Sequence, residues 1–476
     1  MIFNSFEFLL FLPLVFALYW FAAKGNARWQ NIILWVSSYY FYACWDWRFL
    51  FLLIFSTILD YYTGIKMAEA PSQKMKRFWF WLSVTVNLGF LGVFKYYNFF
   101  AESFADLLSG FGMHADFATL NVILPVGISF YTFHGLSYVI DIYNDKIKPE
   151  KDFVDYSVFV CFFPLLVAGP IERATHLLPQ IQRQRVFDYA KAADGCRQIL
   201  WGMFMKVVVA DNCAVVVNEV FGNPDKYNGG SLAVGAVFFA FQIYGDFSGY
   251  SNIALGTARL FGVELLRNFA FPYFSRDIAE FWRRWHISLS TWFRDYLYIP
   301  LGGSKGGMKM QIRNTLIIFL VSGFWHGANW TFIIWGLLNA IYIMPLVIFK
   351  MNRNNTDTVA QDSFLPSVKE IMQIAITFAA TTLAWIFFRA ASVTEALHYI
   401  KRMFTPSLAG KPEIDLKPFI FILILLAVEW LQRRKKHGLE LGNVSSTPLR
   451  WAAYVCIFVI ILLFGASSDS FIYFQF

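Results

Sequence analysis

The sequence predicts an all-α, polytopic membrane protein. Hydrophobic residues make up 57% of its 476 positions and aromatic residues 20%, while charged residues make up 15%, against roughly 25% in a soluble domain. Apolar stretches close to the roughly 20 residues that cross a bilayer recur from one end of the chain to the other. They leave no room for a large soluble domain, so residues 1–476 are expected to form a single membrane domain in the lipid bilayer.

Charge and cysteine usage argue against several other classes of protein. The net charge is +8, but in a polytopic protein Lys and Arg mark cytoplasmic loops, and the sequence contains no nucleic-acid-binding motif. The five cysteines are scattered and include no CxxC pair or other metal-ligand spacing. We therefore expect neither a nucleic-acid partner nor a metal site.

The first part of the chain follows the positive-inside rule. The stretch at 6–23 is expected to be a retained first helix rather than a signal peptide, because no positive charge precedes it. Basic residues at 24–28 and 66–77 are predicted inside, and the loop 96–121, which has no Lys or Arg, is predicted outside. The spans expected here lie at about 31–45, 48–65, 78–95 and 122–143.

The segment 153–191 is predicted to enter the membrane and turn back at the Gly-Pro pair that begins at Gly169. Three arginines follow this break: Arg173, Arg183 and Arg185. If the segment crossed the bilayer, these arginines would lie outside, against the positive-inside rule. A broken helix at membrane depth needs protein or a water-filled cavity around its backbone, so this element is expected beside a cavity.

The longest segment without a span, Glu264 to Arg313, is predicted at the cytoplasmic face. It holds eight basic residues against four acidic ones, and it mixes Trp, Phe, Tyr and Arg as an interfacial helix does. Residues 389–417 break the charge rule, because they are predicted outside yet contain five basic residues; an amphipathic helix is predicted at 393–404. Later spans are expected at about 196–217, 231–255, from 315, and at 331–349, 370–388, 418–432 and 451–467. We expect about eleven crossings in all, give or take two.

Two titratable residues fall at predicted membrane depth. Asp246 lies in an apolar span, where a carboxylate is costly enough to suggest a function; the alternative is an acid that ties helices together by hydrogen bonds. His326 lies in "FWHGANW", roughly 17 Å along a helix that starts at Thr315. A neutral imidazole there suits a general base, but a proton relay with Asp246 and a buried structural histidine remain alternatives. A metal site would need more His or Cys ligands than His286 alone.

Several motifs together resemble the membrane-bound O-acyltransferase family. "FWRRWHISLSTWFRDYLYIPLGG" followed by "GFWHGANWTFIIWG" is similar to the double-histidine core of that family. "LPVGISFYTFHGLSYVIDIY", "LLVAGPIERATHLLPQI" and "YGDFSGYSNIALGTARLFG" are similar to the bacterial branch typified by the alginate O-acetylation membrane protein. The resemblance covers nearly the whole chain.

The resemblance implies a fold and a division of roles. The fold would be a ring of tilted helices, with re-entrant and interfacial helices, around a thinned centre pierced by a tunnel, and the catalytic core would span about 120–350. His326 would be the general base, and His286 would lie beside the passage that admits the acyl donor. Donor and acceptor would reach the histidine from opposite sides of the membrane.

The implied reaction moves an acetyl group from cytoplasmic acetyl-CoA to a hydroxyl outside, with no covalent acyl-enzyme and no tightly bound cofactor. Arg283, Arg284, Arg294 and Lys305 could bind the donor's phosphates or could serve only as positive-inside anchors. Asn329 and the indole nitrogens of Trp325 and Trp330 could donate to the oxyanion, although packing roles fit them as well.

The acceptor implied by the resemblance is an extracytoplasmic partner protein or an exported polysaccharide, as in alginate O-acetylation, and the location is the bacterial inner membrane. One alternative is D-alanyl transfer from an acidic carrier protein toward teichoic acid, with the basic face around Arg283 as the docking site. The other is a proton-coupled transporter that uses His326 and Asp246, although the sequence shows no inverted repeat.

Overall fold

The part of the chain that the structure describes is helical. The computed structural model describes residues 1–113, 120, 124–166, 169–442, 444–466 and 472, and within these residues helices are joined by turns and loops, without a β-strand. The predicted all-α class is confirmed for these residues. The described residues leave out 114–119 and 121–123, in and just after the predicted external loop. They also leave out 167–168, beside the Gly-Pro break, and 467, at the end of the predicted final span.

The chain divides into two compact units. The first unit comprises Met1–Ala192 and Thr257–Leu266, and the second comprises Ala193–Gly256 and Arg267–Phe476. This division does not test the prediction that residues 1–476 form one membrane domain, so it stays a prediction. The helices of the first unit are Phe6–Ala17, Ala27–Ala43, Trp47–Ala68, Gln73–Leu91, Tyr97–Gly110, Ile128–Tyr143, Phe153–Cys161, Phe163–Leu166 and Ala174–Gln182.

Two helices, Tyr189–Met203 and Gly229–Leu260, extend across the division in sequence. The others of the second unit are Asp211–Gly222, Ile278–Arg284, Ile287–Phe293, Gly307–His326, Trp330–Ile348, Val368–Arg389, Val393–Met403, Pro418–Leu431 and Thr447–Phe464. Short π-helical stretches lie at Leu18–Ala22, Gly92–Tyr96, Phe204–Ala210 and Arg294–Tyr298, and 3₁₀ turns at Pro224–Lys226, Pro272–Phe274 and Pro406–Ala409.

Seven helices among the described residues are long and apolar enough to cross a membrane. They are Trp47–Ala68, Gln73–Gly110, Tyr189–Gly222, Gly229–Leu260, Trp330–Ile348, Val368–Arg389 and Thr447–Phe464, where consecutive helical stretches are joined. Three shorter apolar helices lie at Phe6–Ala22, Phe153–Leu166 and Pro418–Leu431. A multi-pass membrane protein is thereby supported, while the count of about eleven crossings and the central tunnel stay predictions.

The Gly-Pro element of the first unit is interrupted where the sequence predicts. Helix Phe153–Cys161 is followed after Phe162 by the short helix Phe163–Leu166, and beyond the Gly-Pro pair a new helix starts only at Ala174. Glu172, which is fully buried, accepts a hydrogen bond from the backbone N–H of Leu266 at 2.6 Å and pairs with His176 Nδ1 at 2.8 Å. This carboxylate therefore holds the broken element in place, whereas its re-entry into the membrane stays a prediction.

The predicted interfacial segment folds into short helices rather than one span. Helices Ile278–Arg284 and Ile287–Phe293 and the π-helical stretch Arg294–Tyr298 occupy it. The next helix begins at Gly307 rather than at Thr315. Its first turns, "GMKMQIRN", are polar and basic, so hydropathy misses them, yet Met, Lys, Gln and Arg are good helix formers.

Candidate active site

His326 is the last residue of helix Gly307–His326, here named the His326 helix. A short turn, Gly327 to Asn329, leads into helix Trp330–Ile348, named the return helix. The Asn329 Oδ1 accepts from the Thr331 N–H at 3.0 Å and so caps the return helix, as Asn commonly does. Its Nδ2 donates to the Ala391 carbonyl at 2.9 Å. Asn329 therefore has structural hydrogen bonds, and its predicted oxyanion role stays a prediction.

Three glycines let the two helices pack backbone against backbone. A Cβ added at Gly323 would lie 2.3 Å from the Phe332 carbonyl oxygen, and one at Gly336 would lie 2.3 Å from the Phe319 carbonyl oxygen. At Gly327 it would lie 2.1 Å from the Phe332 ring. Side chains at these positions would force the helices apart, so glycine fixes the hairpin that positions His326.

The His326 ring is enclosed by aromatic side chains from separate helices. It is 6% exposed, and its centroid lies 5.1 Å from that of Trp335 and 5.3 Å from that of Phe388. Trp325, also buried, lies at 4.9 Å. Trp385 stacks on Trp335 at 5.5 Å. These rings together form an aromatic wall around His326.

His286 joins the short helices of the interfacial segment in a strained conformation. Its φ is 43°, in the left-handed region that non-glycine residues rarely adopt. The following N–H, of Ile287, donates to the Asn268 carbonyl at 2.9 Å, and the imidazole lies edge-on to Phe247 at 4.6 Å. Strain of this kind persists only where the surroundings impose it, and it is frequent at functional sites.

The structure brings the two predicted histidines together. The ring centroids of His286 and His326 are 6.4 Å apart, although the whole of the His326 helix lies between them in sequence. His286 is 1% exposed, and neither of its ring nitrogens has a hydrogen-bond partner within the described part of the chain. Burial lowers the pKa of His286 to about 3, so its ring is neutral. The site therefore presents an uncharged imidazole with open nitrogen atoms beside His326.

The predicted donor-binding cations bind nearby groups of the chain. The Arg283 guanidinium donates to the carbonyls of Asn352 and Asn355 at 2.8 and 2.6 Å. Arg284 pairs with Glu280 at 2.8 Å. Arg294 pairs with Asp295 at 2.7 Å, and Lys305 is exposed in the loop before the His326 helix. Arg283 thus anchors the loop after the return helix, and phosphate binding by any of the four cations stays a prediction.

Asp246 belongs to a buried ion cluster. Lys206 Nζ lies 2.7 Å from a carboxylate oxygen of Asp246 and 2.7 Å from one of Asp211, and all three side chains are at most 4% exposed. Asp246 also accepts from the Ile472 N–H at 2.7 Å. These contacts match the structural alternative for Asp246, an acid that ties segments together.

Several residues of these sites escaped the sequence reasoning. Lys206 interrupts the apolar stretch "GMFMKVVVA", so a search for charges at membrane depth would have found it. Trp335, Trp385 and Phe388 carry no local signal, because aromatic residues are frequent throughout this chain. Only packing shows that they surround His326.

Comparison with known proteins identifies one family and several similar proteins. The sequence model of MBOAT, the membrane-bound O-acyltransferase family, matches residues 145–383. The chain is 38% identical over 409 residues to the probable alginate O-acetylase AlgI of Pseudomonas aeruginosa, covering 85% of this chain and 75% of that protein. It is 35% identical over 421 residues to the peptidoglycan O-acetyltransferase of Helicobacter pylori, covering 83% and 77%. The teichoic acid D-alanyltransferase of Bacillus subtilis is more distant, at 28% identity over 274 residues, covering 54% and 67%.

Proposed function

Because the chain belongs to the membrane-bound O-acyltransferase family, we propose that it transfers an acetyl group from acetyl-CoA to a hydroxyl on the far side of the membrane, with His326 as general base. The observation that carries this proposal is the buried pair of imidazoles, with ring centroids 6.4 Å apart inside an aromatic wall. A neutral imidazole is the side chain best suited to take a hydroxyl proton near neutral pH.

The proposed reaction balances without a covalent enzyme intermediate. His326 takes the proton of the acceptor hydroxyl as its oxygen attacks the thioester carbonyl, which forms the new C–O bond. The tetrahedral intermediate then breaks its C–S bond, and the imidazolium returns the proton to the departing thiolate. The His286 ring lies 6.4 Å from the His326 ring, and Phe247 packs against it. Because neither of its nitrogens has a partner among the described residues, we assign it the placing or polarising of the thioester.

Acetyl is proposed as the acyl group because of the relatives. Relatives that cover more than four-fifths of the chain, such as the two described above, are named O-acetylases or O-acetyltransferases, whereas the D-alanyltransferase is less similar and covers about half. By the same comparison the acceptor is a polysaccharide, reached directly or through an extracytoplasmic partner protein.

Helix direction supports access from two sides and an inner-membrane location. The His326 helix begins with Lys309 and Arg313, and the return helix ends just before Lys350 and Arg353. Basic residues favour the cytoplasmic side, so the turn that follows His326 is placed toward the opposite side. Acetyl-CoA, made in the cytoplasm, would then approach from the basic ends.

The proposal can be tested in inside-out membrane vesicles from cells that make the chain with its natural partners. Radiolabelled acetyl-CoA or a D-alanyl carrier protein is added outside, and label in luminal macromolecules is measured. We expect label from acetyl-CoA, lost in His326→Ala. Label from the D-alanyl carrier alone would contradict the donor assignment, and undiminished acetyl transfer in His326→Ala would contradict the assigned base.

A further inference from the structure

The second unit contains a cleft near the His326 turn that the proposed chemistry does not use. Its volume is about 410 Å³. One side is formed by the end of helix Asp211–Gly222 and the turn that follows it, and the other side by the start of helix Val393–Met403. Residues 389–391 complete its wall. We name it the outer cleft, because residues 389–417 are predicted outside the membrane.

The outer cleft is joined to the His326 site by adjacent residues and by one hydrogen bond. Phe388, whose ring lies 5.3 Å from the His326 ring, is followed directly by Arg389 of the cleft. The Ala391 carbonyl, also at the cleft, accepts the hydrogen bond from the side chain of Asn329, the residue that caps the return helix. A group bound in the outer cleft is therefore next to the residues that hold His326.

Two of the five basic residues that break the charge rule, Arg389 and Arg402, hold together the segments around this cleft. Arg402 donates to the carbonyls of Pro224 and Tyr227 at 3.1 Å each and lies 3.3 Å from the Asp225 carboxylate. Arg389 donates to the Asn218 side chain at 2.9 Å. Their positive charges serve tertiary contacts, which explains why they occur in a segment predicted outside.

The remaining groups of the cleft suit a ligand rich in hydroxyls. The Asp225 carboxylate is exposed and lies 3.0 Å from the His398 ring. Glu395 is exposed and lines the same cleft, and its backbone N–H is capped by Ser392. Carboxylates accept hydrogen bonds from hydroxyls, and an imidazole can donate or accept them.

We propose that the outer cleft binds the saccharide unit whose hydroxyl receives the acyl group, an inference that rests on the proposed O-acyl transfer. Its volume is in the range of small-ligand pockets, about 300–1,000 Å³. Docking of a folded protein would instead need roughly 800 Å² of surface on each partner. A concave site that combines apolar side chains with carboxylates and an imidazole, beside the turn after His326, fits a sugar unit better than a protein surface.

Direct binding tests this assignment without relying on catalysis. The full chain in nanodiscs is titrated with a neutral tetrasaccharide, and binding is followed by ligand-observed NMR. Glu395→Gln and His398→Gln should each weaken binding about tenfold, because each removes a charged or paired hydrogen-bonding group. Glu413→Gln is the matched control, since Glu413 is exposed in the same predicted external segment but does not line the cleft.

Failure of this inference differs from failure of the proposed function. His326→Ala should bind the tetrasaccharide as the unchanged chain does while losing transfer. The saccharide site would be overturned if the unchanged chain did not bind the tetrasaccharide, or if both cleft variants bound it as well as the control does. Crosslinking of a partner protein into the cleft would overturn it as well. Saccharide binding that depends on the cleft, together with no acetyl transfer by the unchanged chain, would contradict the proposed function instead.

Discussion

Two buried polar sites in the second unit are built in opposite ways. In the ion cluster, the Lys206 ammonium lies 2.7 Å from both Asp211 and Asp246, and Asp246 also binds a backbone N–H. In the histidine site, His286 is as deeply buried, yet neither of its ring nitrogens has a partner among the described residues. A buried polar group without a protein partner is costly, so its presence calls for a reason other than holding the fold together.

We therefore expect the ion cluster to hold the fold and the histidine site to serve the proposed transfer. Changes in the ion cluster should reduce stability, because a charge loses its counter-ion inside the protein. Changes in the histidine site should reduce transfer and spare stability. Four measurements test this difference, and a fifth tests the orientation that the proposed transfer requires.

His326→Ala should show the largest effect, on activity alone. A positioned general base contributes about 100-fold to 10,000-fold, and transfer should fall by that factor. Thermal unfolding in detergent should stay within a few degrees of the unchanged chain, because the aromatic wall remains. An unfolded or poorly inserted His326→Ala protein would show that the histidine is structural and would remove the contrast.

Lys206→Met should show the opposite behaviour. It leaves two carboxylates buried without their cation, which costs roughly 3–5 kcal/mol in comparable sites. We expect a large loss of thermal stability, with the acyl-donor KM of the surviving folded fraction unchanged. The triple change Lys206→Met with Asp211→Asn and Asp246→Asn should recover part of the stability. A stable Lys206→Met protein with lost transfer would instead support the proton-relay alternative.

Gly323→Ala should disturb the hairpin that carries His326. The added Cβ would lie 2.3 Å from the Phe332 carbonyl oxygen, and overpacking of this kind costs about 1–3 kcal/mol. Both melting temperature and transfer should fall. Gly89→Ala is the control, because a methyl group at Gly89 would meet no atom within 4 Å and alanine favours helices. Equal stability of the two variants would refute tight packing at Gly323.

His286→Gln should reduce transfer less than His326→Ala, by about tenfold through a higher donor KM if the residue positions the thioester. Burial lowers the pKa of His286 to about 3, so its ring is already neutral near pH 7. Its replacement should therefore not move the acid limb of the pH–rate profile. Thermal stability should be retained. A normal donor KM with lost kcat would make His286 a direct participant in the chemistry.

Cysteine labelling tests the orientation without disturbing either site. The exposed Cys44, Cys196 and Cys456 are first changed to Ser. In intact cells an impermeant maleimide should then label Ser109→Cys, whereas Lys305→Cys should react only after the inner face is opened; both positions are exposed. The reverse pattern would put the basic segment outside and the donor on the wrong side.

Much of the fold was predictable because its signals are local. Hydropathy and charge act within windows of about 20 residues, and they identified the helical membrane class, the broken element at Gly169 and the amphipathic helix observed at Val393–Met403. They missed the start of the His326 helix at Gly307, because helix propensity continues where hydrophobicity stops.

The motifs around His286 and His326 are contiguous, so the residues alone identified the family and singled out both histidines. Helix packing shows that the two rings lie 6.4 Å apart, that Trp335 and Phe388 lie against His326, and that Lys206 pairs with Asp246. These contacts join residues far apart in the chain. They depend on how whole helices pack, a property that no local pattern of residues specifies.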